Sequence, residues 1–157
     1  MPRPSSPLTK PVTTTSRIPG ASCDYLEGSA APLYPFGHGL SYTGFEYSDL
    51  TITPLGGTDC EVSFTVTNAG DRDGDEVVQV YINDPESSVV TPEKLLRRFK
   101  RLTLTAGESR RVTFTLGFDD LKLLGLDWQW KVEPGEFCVM VGASSADIRL
   151  EGSFEVK

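Results

Sequence analysis

The sequence predicts an all-β protein, an antiparallel β-sandwich preceded by a mostly irregular N-terminal arm. Three observations carry that prediction. From residue 45 onward, apolar and polar residues alternate in short runs, the period that puts successive side chains on opposite faces of a strand. Gly, Pro, Asn and Asp punctuate those runs at close intervals, as turns between short strands require. No stretch keeps the 3.6-residue period of a substantial helix, so two packed sheets are the remaining way to bury the apolar faces. A length of 157 residues allows one such core and a tail.

Residues 1–22 form the arm. Pro2, Pro4, Pro7, Pro11 and Pro19 stand among Ser, Thr and basic residues, and prolines at that density block helix and sheet ladders alike. Residues 23–44 read as a linker and turn motif packing on the sandwich, and 45–157 as the sandwich itself. In the motif Leu33-Tyr34-Pro35-Phe36-Gly37-His38-Gly39-Leu40-Ser41-Tyr42-Thr43, two glycines flank His38 and permit a tight turn with positive φ. Pro35 holds Tyr34 extended. Leu33, Tyr34, Phe36, Leu40 and Tyr42 give this loop more apolar surface than a solvated loop carries, which predicts packing against its own domain or a neighbour.

The strands follow in order. Across Phe45–Ile52 the apolar pairs Phe45/Tyr47 and Leu50/Ile52 fall on opposite parities, so a β-bulge is expected near Ser48-Asp49. Cys60 to Asn68 alternates most clearly, with Val62, Phe64 and Val66 inward. Glu76 to Asp84 places Val78, Val80 and Ile82 on one face, and its other face, Val77, Gln79 and Tyr81, is unusually apolar. Leu95 to Leu104 reads as a strand with a phase change around Lys100. Ser109 to Leu116 turns Val112, Phe114 and Leu116 inward. Asp119 to Leu124 predicts one helical turn, capped by Asp119. Trp128, Trp130 and Val132 share a face, and the two tryptophans are expected in the core. Glu133-Pro134-Gly135-Glu136 is a turn. Phe137, Val139 and Val141 are the next inward set, and Ile148, Leu150, Phe154 and Val156 line the last strand, with Gly152 marking a bulge or a close approach.

Net charge is −7 with a sequence pI near 4.7, which argues against nucleic acid or an anionic membrane as partner. The single basic run, Arg97-Arg98-Phe99-Lys100-Arg101, is interrupted by Phe99 and reads as strand. Cys23, Cys60 and Cys138 are odd in number and unrelated in spacing. They are best read as isolated thiols, with a Cys60–Cys138 pair as the alternative, and no metal or cofactor motif accompanies them. No secretory leader is read at Met1, and the compartment is left open.

The run YPFGHGLSYTGFEYSDL closely resembles the segment that opens the C-terminal fibronectin type III-like domain of glycoside hydrolase family 3, the β-glucosidases and β-xylosidases. The likeness continues through Asn68-Ala69-Gly70-Asp71, Gly74-Asp75-Glu76-Val77-Val78-Gln79-Val80-Tyr81, Phe99-Lys100-Arg101-Leu102, Ala106-Gly107-Glu108-Ser109, Glu133-Pro134-Gly135-Glu136-Phe137 and Val141-Gly142-Ala143-Ser144-Ser145. The resemblance implies fibronectin-type connectivity and a remnant of a preceding α/β domain around Lys10 to Gly20. It also implies that the nucleophile and the general acid/base of glycoside cleavage belong to other domains, so this chain by itself is not expected to be an enzyme. It is expected to be an accessory module that docks on and stabilises the catalytic domains of such a hydrolase.

Glycoside hydrolysis needs two carboxyl groups across a sugar-sized cleft, and nothing in the spacing of the acidic residues marks such a pair. Asp71, Asp73, Asp75 and Glu76 alternate in a way that suits calcium, but they lack the rest of a binding loop and read as a solvated turn. His38, the only histidine, has no neighbouring nucleophile and reads as a turn residue. The candidate domain-docking surface is Tyr34, Phe36, Tyr42, Val77 and Tyr81. Trp128 and Trp130 are candidate glycan-stacking residues, which makes polysaccharide the second partner class and a polysaccharide- or lignin-binding module the alternative function.

Overall fold

A computed structural model describes residues 32–157, so the arm at 1–22, Cys23 and the linker up to 31 lie outside the described residues. The first strand, β1, runs Phe45–Gly56 and is followed by β2, Asp59–Asn68, and β3, Gly74–Asn83. Next come β4, Leu95–Leu104, β5, Ser109–Leu116, and a single helical turn, α1, Phe118–Leu121. Two short strands, β6 (Leu123–Leu124) and β7 (Trp130–Lys131), precede β8, Gly135–Gly142, and β9, Ile148–Val156. Antiparallel pairing gives a three-stranded sheet ordered β1-β2-β5 and a four-stranded sheet ordered β4-β3-β8-β9, with β6-β7 as a separate ribbon.

The core lies between the two sheets, as the alternation predicts. Val62, Phe64 and Val66 of β2 meet Val78, Val80 and Ile82 of β3, and Val112, Leu116, Phe137, Val139 and Val141 complete the layer. Phe114 is only partly buried at its margin. Phe64 stacks beside Tyr47 with ring centroids 6.1 Å apart, and Phe137 beside Phe154 at 5.8 Å. The expected bulge in β1 is present: register slips by one residue between Ser48 and Thr51, and Asp49 takes a φ of 55°. Gly152 marks a close approach, because a Cβ there would lie 2.7 Å from Cδ1 of Ile52.

Three expectations require correction. The phase change in β4 falls at Arg97, the extra residue between Arg98 (opposite Val80) and Leu96 (opposite Tyr81), and not around Lys100. The helical turn starts earlier than the sequence suggests, with Gly117 as its N-cap. Asp120 therefore stands where a carboxylate reaches back, and its Oδ2 accepts the Gly117 N–H at 2.9 Å and an Arg98 guanidinium N–H at 2.7 Å. Asp119 instead pairs with Lys122 at the surface. Finally, the tryptophans are not core residues. The β6-β7 ribbon stands at the end of the sandwich, and Trp128 and Trp130 on it are 80 % and 58 % exposed. Of the three aromatic-face residues only Val132 packs against the core.

Candidate functional site

The turn motif crosses the outer face of the four-stranded sheet. His38 N–H donates to Pro35 O at 3.1 Å to close a β-turn, and Gly37 inside it has a φ of 77°. A side chain at Gly37 would be strained by that φ, and its Cβ would sit 2.1 Å from Gln79 Oε1. The turn therefore needs Gly37, whereas Gly39 has open space around it. His38 is exposed, with its ring 5.2 Å from that of Tyr34.

Gln79 is the pin. Its side chain is buried on the outer face of β3, where its Nε2 donates to Gly37 O at 3.1 Å and to Ala143 O at 2.6 Å. Its Oε1 accepts the Tyr81 hydroxyl at 2.5 Å. A further backbone bond, Ser145 N–H to Phe36 O at 2.9 Å, ties the motif to the turn after β8. The buried Gln79 amide thereby finds partners for its own donors and acceptor while anchoring the motif. Lower in the motif, Thr43 Oγ1 donates to Asn68 Oδ1 at 2.7 Å. Buried Asn68 also accepts from Gly70 N–H, and its Nδ2 donates to Arg72 O and Leu104 O. One asparagine thus organises both the β2-β3 turn and the entry into β1.

The main chain of the motif is held, and its side chains are not covered. Tyr34 and Phe36 are about two-thirds exposed and Tyr42 is 96 % exposed. Beneath and beside them, Phe36, Leu40, Val77, Leu96 and Phe99 line a groove of about 400 Å³, with Asp75 and Glu76 at its edge. The groove continues past Leu40 to Tyr42, Arg101 and Thr103. Tyr34, Phe36, Tyr42 and Val77 thus present apolar surface to solvent, and Leu40 and Phe99 enlarge it. Tyr81 does not belong with them. At 1 % exposure its ring is packed within the domain, burial pushes its phenol upward from the usual range, and its hydroxyl is spent on Gln79.

Phe99 and Gln79 are the residues sequence reasoning passed over. Phe99 breaks a basic run, and an aromatic there is a signal only once its register opposite Gln79 is known. Gln79 gives no sign in the sequence that its amide is buried.

The acidic turn uses its carboxylates locally. Asp73 accepts the Ala106 N–H at 3.0 Å, while Asp75 accepts the Thr103 hydroxyl at 2.6 Å and pairs with Arg101. Those partners, Thr103 first, hold the Asp75 carboxyl below the usual carboxylate range. Among the described residues no three His, Cys, Asp or Glu side chains converge as metal ligands would. Cys60 and Cys138 are both free thiols, and burial pushes Cys60 up to about 11.

A profile of the family described as Fn3-like, fibronectin type III-like domain, matches residues 76–145. The chain is 43 % identical over 136 residues to a putative β-xylosidase of Formosa agariphila, covering 85 % of this chain and 18 % of that protein. It is 40 % identical to a periplasmic β-glucosidase of Salmonella typhimurium over 98 % of this chain and 19 % of the relative. The GH3 β-glucosidase of Bifidobacterium adolescentis superposes with a TM-score of 0.76 at 37 % identity, over 78 % of this chain and 18 % of that one. The chain carries a fibronectin type III-like domain of the glycoside hydrolase family 3 kind. The chain also superposes on β-glucosidase 3B of Thermotoga neapolitana, seen in complex with α-D-glucose, at a TM-score of 0.76 and 42 % identity. That match covers 80 % of this chain and 18 % of the other. The fibronectin type III-like chain spans about a fifth of the length of the relatives it matches.

Proposed function

We propose that this fibronectin type III-like domain is a non-catalytic accessory module that docks on, and stabilises, the catalytic domains of a family 3 glycoside hydrolase. The observation that carries the reading is the apolar outer face of the four-stranded sheet. Tyr34, Phe36, Leu40, Tyr42, Val77 and Phe99 leave side chains in solvent although the backbone under them is fixed by Gln79 and Ser145. Apolar surface held rigid in advance is what an interface uses, because little ordering cost remains on binding. The relatives are about five times the length of the region they share with this chain, which supplies a partner large enough to cover the face. The carboxylates of Asp73 and Asp75 are engaged in capping and pairing within the domain, a structural use that favours the non-catalytic reading.

The test is association of the chain with the separately expressed catalytic domains of a family 3 β-glucosidase, followed by sedimentation and by the melting temperature of those domains. Tyr42→Ala and Phe99→Ala are expected to weaken association at least tenfold, a hot-spot-sized effect, while leaving this domain's own melting temperature unchanged. Association untouched in both variants refutes the docking face. A nitrophenyl glucoside or xyloside released by the chain alone, above a denatured control, refutes the non-catalytic role.

A further inference from the structure

One segment of the chain, the turn between β8 and β9 with the start of β9, fastens the turn motif at both of its ends. At the entry, Ser145 N–H donates to Phe36 O at 2.9 Å, and Ala143 O shares the Gln79 amide with Gly37 O. At the exit, the Arg149 guanidinium donates to the main-chain O of Phe45, the first residue of β1, 104 residues away in sequence. From the other side, Asn68 Oδ1 and Ala69 N–H hold Thr43 and Gly44. The exit is therefore gripped between β2 of one sheet and β9 of the other. Leu40 and Tyr42, the most exposed apolar side chains of the motif, lie on the stretch strung between the two anchors.

Arg149 is held ready for that contact. Its Nε and Nη2 donate to the two carboxylate oxygens of Asp147 at 3.1 and 2.8 Å, a forked pairing that fixes the plane of the guanidinium and leaves Nη1 for Phe45 O. The guanidinium carbon stands 5.1 Å from the centre of the Tyr47 ring. The Tyr47 hydroxyl donates in turn to Glu76 Oε1 at 2.7 Å, one residue before Val77 of the docking face. The turn that carries Asp147 is itself closed. Ala143 N–H donates to Asp147 O at 3.0 Å, and Asp147 N–H donates to the carbonyl and hydroxyl oxygens of buried Ser144 at 3.2 and 3.1 Å. An exposed ion pair two residues apart is worth little by itself. This one differs because its arginine also holds a distant main chain.

Resting on the docking role proposed above, we infer that Asp147 and Arg149 are positioning residues for the docking face: they fix the exit of the turn motif into β1, while Gln79 and Ser145 fix its entry. Neither residue lines the apolar groove, so they act on a partner only through the main chain that runs from Phe45 back to Tyr42 and Leu40. A segment tied at one end swings about it. Tied at both ends, it holds its side chains in place before a partner arrives, and less ordering cost remains on binding. Lysine cannot substitute for Arg149 here. An ammonium is a point charge without the planar fork, so it pairs with Asp147 or reaches Phe45 O but does not hold both in this geometry.

Amide hydrogen exchange of the full chain reads this role without a partner. Arg149→Lys and Asp147→Asn are each expected to speed exchange about tenfold at Ser145 and Ala69, whose N–H groups bond to motif carbonyls. Amides of β2 such as Phe64 are expected to stay within about twofold of wild type. In the same variants, association with the separately expressed catalytic domains of a family 3 β-glucosidase is expected to weaken about fivefold, and Glu155→Gln, an exposed change on β9, to leave both readouts as they are. Equal acceleration throughout β2 would make Arg149 a prop of the whole fold and overturn the inference. Unchanged exchange at Ser145 and Ala69 overturns it too, as do variants that exchange faster yet bind as tightly as wild type. If wild type itself does not associate, the docking role falls, and exchange alone decides whether the pair positions the motif. Asp147→Asn, which keeps the shape of the side chain, carries the test if Arg149→Lys does not fold.

Discussion

The two sheets have outer faces of opposite character. On the three-stranded sheet the outward residues away from the two register breaks of β1 are Glu46, Ser48, Thr51, Thr53, Glu61, Ser63, Thr65, Thr67, Ser109, Arg111, Thr113 and Thr115. All are polar, and long side chains do the covering: Arg111 lies over Ser63 with a 2.7 Å hydrogen bond. On the four-stranded sheet the outward set mixes Val77, Tyr81, Leu96, Phe99 and Met140 with Gln79, Asp75, Arg101, Thr103, Glu151 and Ser153. A sheet face that meets water needs no apolar side chains. The second face is apolar in part: Gln79 holds the chain's own turn motif against it, and the exposed remainder is where we place a partner.

That contrast can be broken most severely through the core the two sheets share. Phe64→Asp puts a carboxylate into a site with no exposure, at a cost on the order of the whole ~5–15 kcal/mol that holds a domain folded. Loss of the cooperative urea transition is the expected outcome, and a folded variant would contradict the assigned core.

Next in size is the pin. Gln79→Ala removes the donor to Gly37 O and Ala143 O and strands the Tyr81 hydroxyl. Urea unfolding is expected to show a loss of about 2–4 kcal/mol, with faster amide exchange across 35–42. Unchanged exchange there would mean that the motif is held by other contacts.

A smaller effect depends on pH. Lys131 first, then Ser88, hold the Glu133 carboxyl low, from an ordinary 4.5 down to about 2 in the folded protein. A depressed acid stabilises the fold above its unfolded value and ceases to do so as pH falls through its folded value. The melting temperature of Glu133→Gln is therefore expected to lie below wild type at pH 7, with the gap closing between about pH 4.5 and 2. A gap that stays constant with pH would remove Glu133 as the source.

The mildest change is on the polar face. Thr113→Val is expected to shift stability by no more than about 0.5 kcal/mol in either direction. A large loss would show that this face too is engaged.

Much of this was legible in advance, for a local reason. A period of two states which residues share a face, so the inward sets of β2, β3, β5 and β8 and the bulge at Asp49 can be read from the letters alone. The exposed apolar surface was legible in part: Tyr34, Phe36, Tyr42 and Val77 have no place in the core by parity, and all four are exposed. Tyr81 was misassigned because its outward parity is real, but its ring is buried and its hydroxyl is held by Gln79, which binds the turn motif forty-two residues away in sequence. The tryptophans were misassigned for the converse reason. Their apolar character argues for burial, but β6 and β7 pair only with each other and join neither sheet, and both tryptophans stay exposed.

Alternation, turn chemistry and composition by themselves determined that this chain forms two antiparallel sheets with a shared core, because each depends only on neighbours in sequence. Tertiary structure alone decided which part of the larger sheet's outer face stays open, which amide holds the turn motif, and that the tryptophans stay in solvent. Those are pairings between distant segments, and a hydrogen bond or a crevice exists only once both of its sides have been brought together.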